Sequence, residues 1–196
     1  MDKKEIRQYL KNNPVEHTSS AYIAYLMSGR NEAFHDKLEE MEKVRDDSPE
    51  DIENIKIVST LTDPKDYFRM MRRMMPRKIK NMLITRAVDQ EGAVGEMIRE
   101  KILTSGNDEF IENTADYMIK SSFDYSRWIL ENYDRVRSPY ARSQLCLVLG
   151  FRNCVDCNEF LIDQYEYFLE NEDPREYYDQ GPLVALYMIN GMEDEI

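Results

Sequence analysis

The sequence predicts an all-α protein, and three observations support this fold class. Gly and Pro number only 7 each in 196 residues, whereas sandwiches and barrels need a turn every few residues. Apolar side chains recur at helical spacing along most of the chain. Pairs of presumed helices also recur, and a hairpin that repeats at about 30–40 residues is typical of an α-solenoid. An irregular helical bundle remains the alternative, because both arrangements obey the same periodicity.

Residues 1–62 are predicted to form short helices that cap the N-terminal end of the array. Pro14 ends the first helix, and the polar residues 17–20 offer N-caps for the second. Pro49 suits the first turn of a later helix, where a missing N–H does no harm. The helix between the second helix and Pro49 is predicted to place Phe34, Leu38, Met41 and Val44 on its inner face.

Residues 63–196 are predicted to form helical-hairpin repeats, so that the whole chain, 1–196, is one helical domain. The presumed repeats begin at Arg77, Asn107, Ser138 and Asp173, which lie 30, 31 and 35 residues apart. The predicted helices span residues 66–75, 77–88, 92–103, 108–121, 125–136, 139–149, 159–169 and 174–189.

Composition and charge narrow the classes of function. No apolar stretch approaches the ~18 residues that a membrane-spanning helix needs, and the charged N-terminus has no signal-peptide pattern. We therefore expect a soluble, cytoplasmic protein. The net charge of −12 argues against general binding to nucleic acid or anionic membranes, because attraction to phosphate supplies most of such affinity.

A basic segment at residues 65–86 stands out in this acidic chain, with eight Lys or Arg and one acid. On a helix through residues 66–75, three arginines share one face, and four methionines cover much of the rest. The segment predicts a docking face for an acidic protein segment or a phosphate-bearing ligand. The alternative is that the methionines are core and the cations pair with the protein's own acids. The predicted partner-binding residues are Arg69, Arg72, Arg73, Arg77, Lys78 and Lys80.

An acidic counterpart lies at residues 156–179, with nine Asp or Glu against the single base Arg175 and four tyrosines among them. Such a surface suits a basic partner or mimics a phosphate backbone. A solvated helix face is the simpler interpretation.

The sequence offers few motifs for metal binding, redox chemistry or catalysis. Cys154 and Cys157 form a C-x2-C with Cys146 upstream, but a structural zinc site wants four ligands, and both histidines lie far away in the chain. A thioredoxin-type site needs a βαβ context. We therefore expect buried or incidental thiols and no metal. No catalytic triad, phosphate-binding loop or zincin motif is present, so we predict no catalytic residues and no cofactor.

The stretch Ser138–Gly150 followed by Asn153–Leu169 resembles a HEAT-like repeat. It has an arginine (Arg142) in the first helix, a Leu-Gly pair at that helix's end, and an apolar second helix. The resemblance is clearest over residues 138–169. It implies a curved scaffold that usually binds proteins and less often nucleic acid.

These observations predict a non-catalytic protein-binding module, an adaptor or an inhibitor, whose partner is another protein with an acidic segment. Two alternatives stay open. One is a nucleic-acid-associated protein that uses the 65–86 segment, and the other is an enzyme without a recognisable motif.

Overall fold

The computed structural model describes residues 1–43 and 45–196, and this part of the chain contains helices and no strand. The all-α prediction is confirmed. Its α-helices are α1 (Lys3–Lys11), α2 (Ser20–Met27), α3 (Glu32–Lys43), α4 (Pro49–Thr60), α5 (Pro64–Met71), α6 (Arg77–Val88), α7 (Glu96–Lys101), α8 (Asp108–Lys120), α9 (Tyr125–Asn132), α10 (Pro139–Phe151), α11 (Asn158–Asn171) and α12 (Gln180–Ile189). A π-helix at Glu91–Gly95 leads into α7, and 3-10 turns lie at Tyr133–Arg135, Val155–Cys157, Pro174–Glu176 and Glu193–Glu195.

Four of the predicted helices differ from the structure by more than two residues. The predicted helix 92–103 is the π-helix Glu91–Gly95 followed by α7, and the predicted helix 125–136 is α9 followed by a 3-10 turn at Tyr133–Arg135. Helix α5 ends at Met71 and not at residue 75. Pro76 restricts only Met75 to extended backbone. The earlier end accompanies tertiary contacts, because Asn113 binds the Met71 carbonyl and Met75 is buried in the core. The predicted helix 174–189 is two elements, a 3-10 turn and α12, separated at Tyr177, whose φ of 54° is left-handed. Val44, predicted on an inner face, lies outside the described residues.

Helix starts follow from short polar signals in the sequence. Ser48 caps α4 with a reciprocal capping box formed with Asp51. Asp63 accepts a hydrogen bond from the N–H of Lys65 at the start of α5. Asn107 accepts one from the N–H of Phe110 in α8. Each of these side chains satisfies an amide that the first helical turn leaves without a partner.

The helices group into two compact units, one made of Met1–Arg45 with Ser143–Ile196 and the other of Asp46–Arg142. The grouping does not follow the predicted division between residues 62 and 63. That the whole chain forms one domain stays a prediction. Within the described residues, no helix is both long enough and apolar enough to cross a bilayer.

The first unit is centred on α12, which packs against α11, α1 and α2. Its residues from Gln180 to Met188 are all buried. Two glycines let α10 and α12 approach closely. A Cβ at Gly150 would lie 2.6 Å from the Cα of Ala185, and one at Gly181 would collide with the backbone of Ser143.

The second unit is centred on α6, which packs against α4, α5 and α8. Ile79, Leu83 and Ile84 of α6 are at most 1% exposed. Asn113 of α8 donates a buried hydrogen bond to the carbonyl oxygen of Met71 at 2.9 Å. This contact satisfies the last carbonyl of α5 and fixes the point at which the basic segment leaves that helix.

Candidate functional site

The three arginines of the predicted docking face lie around the end of α5. Arg69 is within the helix and pairs with Asp66 at 3.0 Å, with its side chain 75% exposed. Arg72 is the C-cap residue and Arg73 lies beyond it, so one helix face does not carry all three. Arg72 and Arg73 are exposed, and neither forms an ion pair with any residue in the described part of the chain.

The rest of the predicted patch is engaged inside the second unit. Lys78 pairs with Asp47 at 2.9 Å, and Lys80 pairs with Glu109 at 3.0 Å. Arg77 is the first residue of α6 and is half-buried. The interpretation that the cations pair with the protein's own acids is therefore correct for Lys78 and Lys80, and the unpaired charge is concentrated at the end of α5.

The methionines of the basic segment divide in the same way. Met70, Met71 and Met75 are core residues, none more than 6% exposed, whereas Met74 is 83% exposed. After α5 the chain turns back toward the core, because Met75 is buried there. That turn leaves Met74 in solvent beside Arg72 and Arg73, so that a flexible apolar side chain adjoins the two unpaired cations.

Arg72 also lines an open cleft of about 420 Å³. Lys101 provides a second cation there, although it also contacts Glu100 at 3.0 Å. Hydroxyl, amide and glycine backbone groups complete a mostly polar wall that consists of Phe68, Arg72, Lys101, Thr104, Ser105, Gly106 and Asn107. Small-molecule sites are mostly apolar, and this cleft differs from them in its mostly polar lining.

An aromatic ring holds the Arg72 guanidinium in place. Its Cζ lies 5.4 Å from the centre of the Phe68 ring, within the range of a cation–π contact. Phe68 in turn packs edge-on against the fully buried Phe110, with their ring centres 5.0 Å apart. The cation is thus oriented at the cleft while its donors remain open to a ligand.

A second charged cluster surrounds Glu91 at the start of the π-helix. Its Oε1 accepts hydrogen bonds from Arg99 at 2.8 Å and from the Tyr125 hydroxyl at 3.0 Å. Its Oε2 accepts one from Ser121 at 2.7 Å and a short one from the Tyr117 hydroxyl. The two oxygens are thereby supplied with four donors. This arrangement makes Glu91 a clamp between helices, because a carboxylate engaged in this way has little capacity left to act as a base.

The backbone around residues 91–95 leaves room for the Glu91 side chain and its hydrogen bonds. A Cβ at residue 95 would collide with the Glu91 carboxylate and the Tyr117 hydroxyl, so Gly95 is needed for the side chain to fold back. Arg99 stacks over the Phe123 ring, with its Cζ 4.4 Å from the ring centre. The π-helix brings the Glu91 carboxylate within hydrogen-bonding distance of its four donors. Such wider helical turns are rare and often lie at functional sites.

The electrostatics of the cluster favour an ionised Glu91. Burial alone would raise its pKa, but the hydrogen bonds from Tyr117, Ser121, Arg99 and Tyr125 outweigh burial and hold that pKa below its usual value. Burial together with the nearby carboxylate raises the pKa of both tyrosines, so their hydroxyls stay protonated as donors. Sequence reasoning missed this cluster, because its members are separated by up to 34 residues.

The acidic segment 156–179 has the features of a solvated surface for most of its length. Of its acids, all but Glu172 and Asp179 are exposed. Burial raises the pKa of Asp179. The tyrosines differ: Tyr165 is only 6% exposed, whereas Tyr167 is 41% exposed. No group of His, Cys, Asp and Glu within the described residues has the arrangement of a metal site.

The cysteines differ from expectation. Cys154 and Cys157 form a disulfide with their Cα atoms 5.5 Å apart, so the prediction of buried or incidental thiols is wrong for this pair. The 3-10 turn between α10 and α11 places the two residues at the separation that a disulfide requires. Cys146 is buried in α10 and is not part of the bridge.

Comparison with models of known protein families, with curated proteins and with solved structures finds no match for this chain. The function has to be inferred from its own residues.

Proposed function

We propose that this protein is a non-catalytic protein-binding module, an adaptor or inhibitor, that takes an acidic segment of a partner protein into the cleft beside Arg72. The strongest support for this proposal is that the Arg72 side chain is oriented but has no ion-pair partner in the part of the chain that the structure describes. Arg72 is oriented by the Phe68 ring, lines a cleft, and forms no ion pair with the described residues. Arginine presents a planar set of donors that matches a carboxylate.

The chain itself contains the completed form of this arrangement. Arg99 also stacks over a phenylalanine, Phe123, and its guanidinium is engaged by the Glu91 carboxylate at 2.8 Å. Arg72 with Phe68 is the same pair without the carboxylate. A Glu or Asp side chain from a partner would supply it, while Lys101 and the hydroxyl of Thr104 would receive neighbouring polar groups.

The exposed residues near the cleft fit a protein partner better than nucleic acid. Lys78 and Lys80 are engaged by acids of the same unit, which leaves few cations to follow a phosphate backbone. The exposed Met74 offers the adaptable apolar contact that peptide-binding surfaces use.

We also propose that the paired helices α6 to α11 stack in the HEAT-like manner and that the protein works in the cytoplasm. For the stacking, the support is the succession of α-helices with short connections from α6 to α11, which is the local pattern of a helical-hairpin array.

Capture from a lysate of the source cell tests the proposal. We expect the wild type to retain a stoichiometric protein with or without nuclease, and we expect Arg72→Glu/Arg73→Glu to lose it. The control is Lys3→Glu/Lys4→Glu, which makes the same charge change on α1 and should capture as the wild type does. Equal capture by all three would contradict the proposed site. Capture that disappears with nuclease would make this a nucleic-acid-associated protein instead.

A further inference from the structure

The Cys154–Cys157 disulfide lies at a junction that the backbone already holds in place. The N–H of Cys154 donates to the carbonyl oxygen of Leu149 at 3.0 Å, and the N–H of Cys157 donates to that of Cys154 at 3.0 Å. Asn153, with a left-handed φ of 54°, turns the chain out of α10. Because these hydrogen bonds involve only the backbone, we expect them to keep the two residues close after the disulfide is reduced.

As a structural staple this bridge contributes less than a disulfide that closes a long loop. The stabilisation from a disulfide grows with the length of chain it closes, and only two residues separate these cysteines. The bridge links the beginning and end of a single 3-10 turn, Val155–Cys157, and no distant elements. We therefore expect the same backbone to accommodate the two thiols as well as the disulfide.

The two sulfurs differ in their access to solvent. Cys157 is 1% exposed, whereas Cys154 is half-buried and is followed by the exposed residues Val155 and Asp156. From these residue exposures we expect an incoming thiolate to reach Cys154 more readily than Cys157. The latter is the N-cap residue of the 14-residue helix α11, where the partial positive charge of the helix terminus stabilises a departing thiolate.

We propose that Cys154 and Cys157 form a redox-active pair that exchanges with thiols, a role independent of the proposed partner binding. A thiolate attacks the Sγ of Cys154, the S–S bond breaks, and Cys157 leaves as a thiolate. A second thiolate attacks the sulfur of the first in the mixed disulfide and releases Cys154. Two thiols are oxidised to one disulfide and the protein disulfide is reduced to two thiols, with two electrons and two protons transferred.

A redox titration of the wild-type protein tests this proposal without any substitution. The protein is equilibrated in buffers of reduced and oxidised glutathione, quenched with acid, alkylated, and analysed by mass spectrometry. We expect one reversible two-electron transition confined to Cys154 and Cys157, with unchanged circular dichroism. Cys146, which is buried, should react only after denaturation. A pair that resists reduction until the helices unfold, or that does not reoxidise, would overturn the proposal.

Two variants assign the roles of the two sulfurs. With oxidised glutathione, Cys157→Ser should retain one glutathione on Cys154, while Cys154→Ser should retain little because the remaining sulfur is buried. Equal trapping by both variants would contradict the assigned order of attack. If Cys157→Ser does not fold, the kinetics of wild-type reduction decide: the transient mixed disulfide should map to Cys154 by peptide mass, and mapping to Cys157 would overturn the assignment.

Discussion

Two arginines of this protein make the same aromatic contact and differ in what completes it. Arg99 lies over Phe123 and binds the Glu91 carboxylate, with its side chain 19% exposed. Arg72 lies over Phe68 at the rim of an open cleft, and it has no carboxylate partner among the described residues. The comparison teaches that an arginine oriented by a ring serves the fold where the chain supplies the anion. The described residues supply no anion to Arg72, and we propose that a partner binds there.

The largest loss of unfolding free energy is expected from a substitution at Glu91, the carboxylate that pairs with Arg99. Glu91→Gln removes the charge that faces Arg99 and weakens four hydrogen bonds, which should lower the free energy of unfolding by about 2–3 kcal/mol. Urea unfolding followed by the fluorescence of Trp128, whose ring packs near Tyr125, measures this loss. Glu96→Gln, at an exposed position of α7, is the matched control and should stay within about 0.5 kcal/mol. Equal losses for both would mean that Glu91 is not a clamp.

The pH dependence of stability tests whether Glu91 is ionised in the folded protein. The pKa of Glu91 is lowered by folding, so its stabilising contribution is complete above the unfolded value of about 4.3 and is lost as the pH falls through the lower folded value. The difference in unfolding free energy between wild type and Glu91→Gln should therefore shrink as the pH falls from about 5 to about 3. A difference that stays constant over this range would contradict the assignment of an ionised Glu91.

A smaller effect is expected where a cation of the basic segment is already paired. Lys80 contacts Glu109 at 3.0 Å and Glu112 at 3.7 Å, with 22% of its side chain exposed. Lys80→Gln should cost up to about 1 kcal/mol of unfolding free energy and leave partner capture unchanged. Loss of capture with unchanged stability would place Lys80 in the binding surface and break the distinction between paired and unpaired cations.

The smallest effect on stability is expected at the open site. Arg72 is exposed, and its guanidinium contacts the Phe68 ring without an ion pair to any described residue. Arg72→Gln should therefore change the free energy of unfolding by no more than about 0.5 kcal/mol. The same variant should nevertheless weaken partner capture. Thermal or urea unfolding measured on the sample used for capture separates the two effects, and a large stability loss would mean that Arg72 serves the fold as Arg99 does.

How much the sequence predicts depends on how far apart the interacting residues lie. The starts of α4, α5 and α8 follow from Ser48, Asp63 and Asn107, whose side chains bond amides two or three residues away. The end of α5 at Met71 does not follow from local spacing, because it depends on tertiary packing that buries Met75.

The two charged sites were harder to infer for the same reason. The charge of the 65–86 segment is evident in the sequence, but which cations are paired depends on acids as far away as Asp47 and Glu109. The Glu91 cluster joins residues 8 to 34 positions apart. In a chain with 38 acids, nothing local distinguishes Glu91. The nearby Gly92 and Gly95 were the one signal that this helix begins irregularly.

The most direct test of the central claim is a titration of the isotopically labelled protein with a synthetic acidic peptide, followed by amide NMR. Binding at the cleft should shift the amide signals of residues 104–107 together with those of Arg72 and Lys101. The same shifts should be lost in Arg72→Glu/Arg73→Glu and kept in Lys3→Glu/Lys4→Glu. Shifts confined to another surface, or equal binding by all three proteins, would contradict the claim that unpaired Arg72 is where this protein receives its partner.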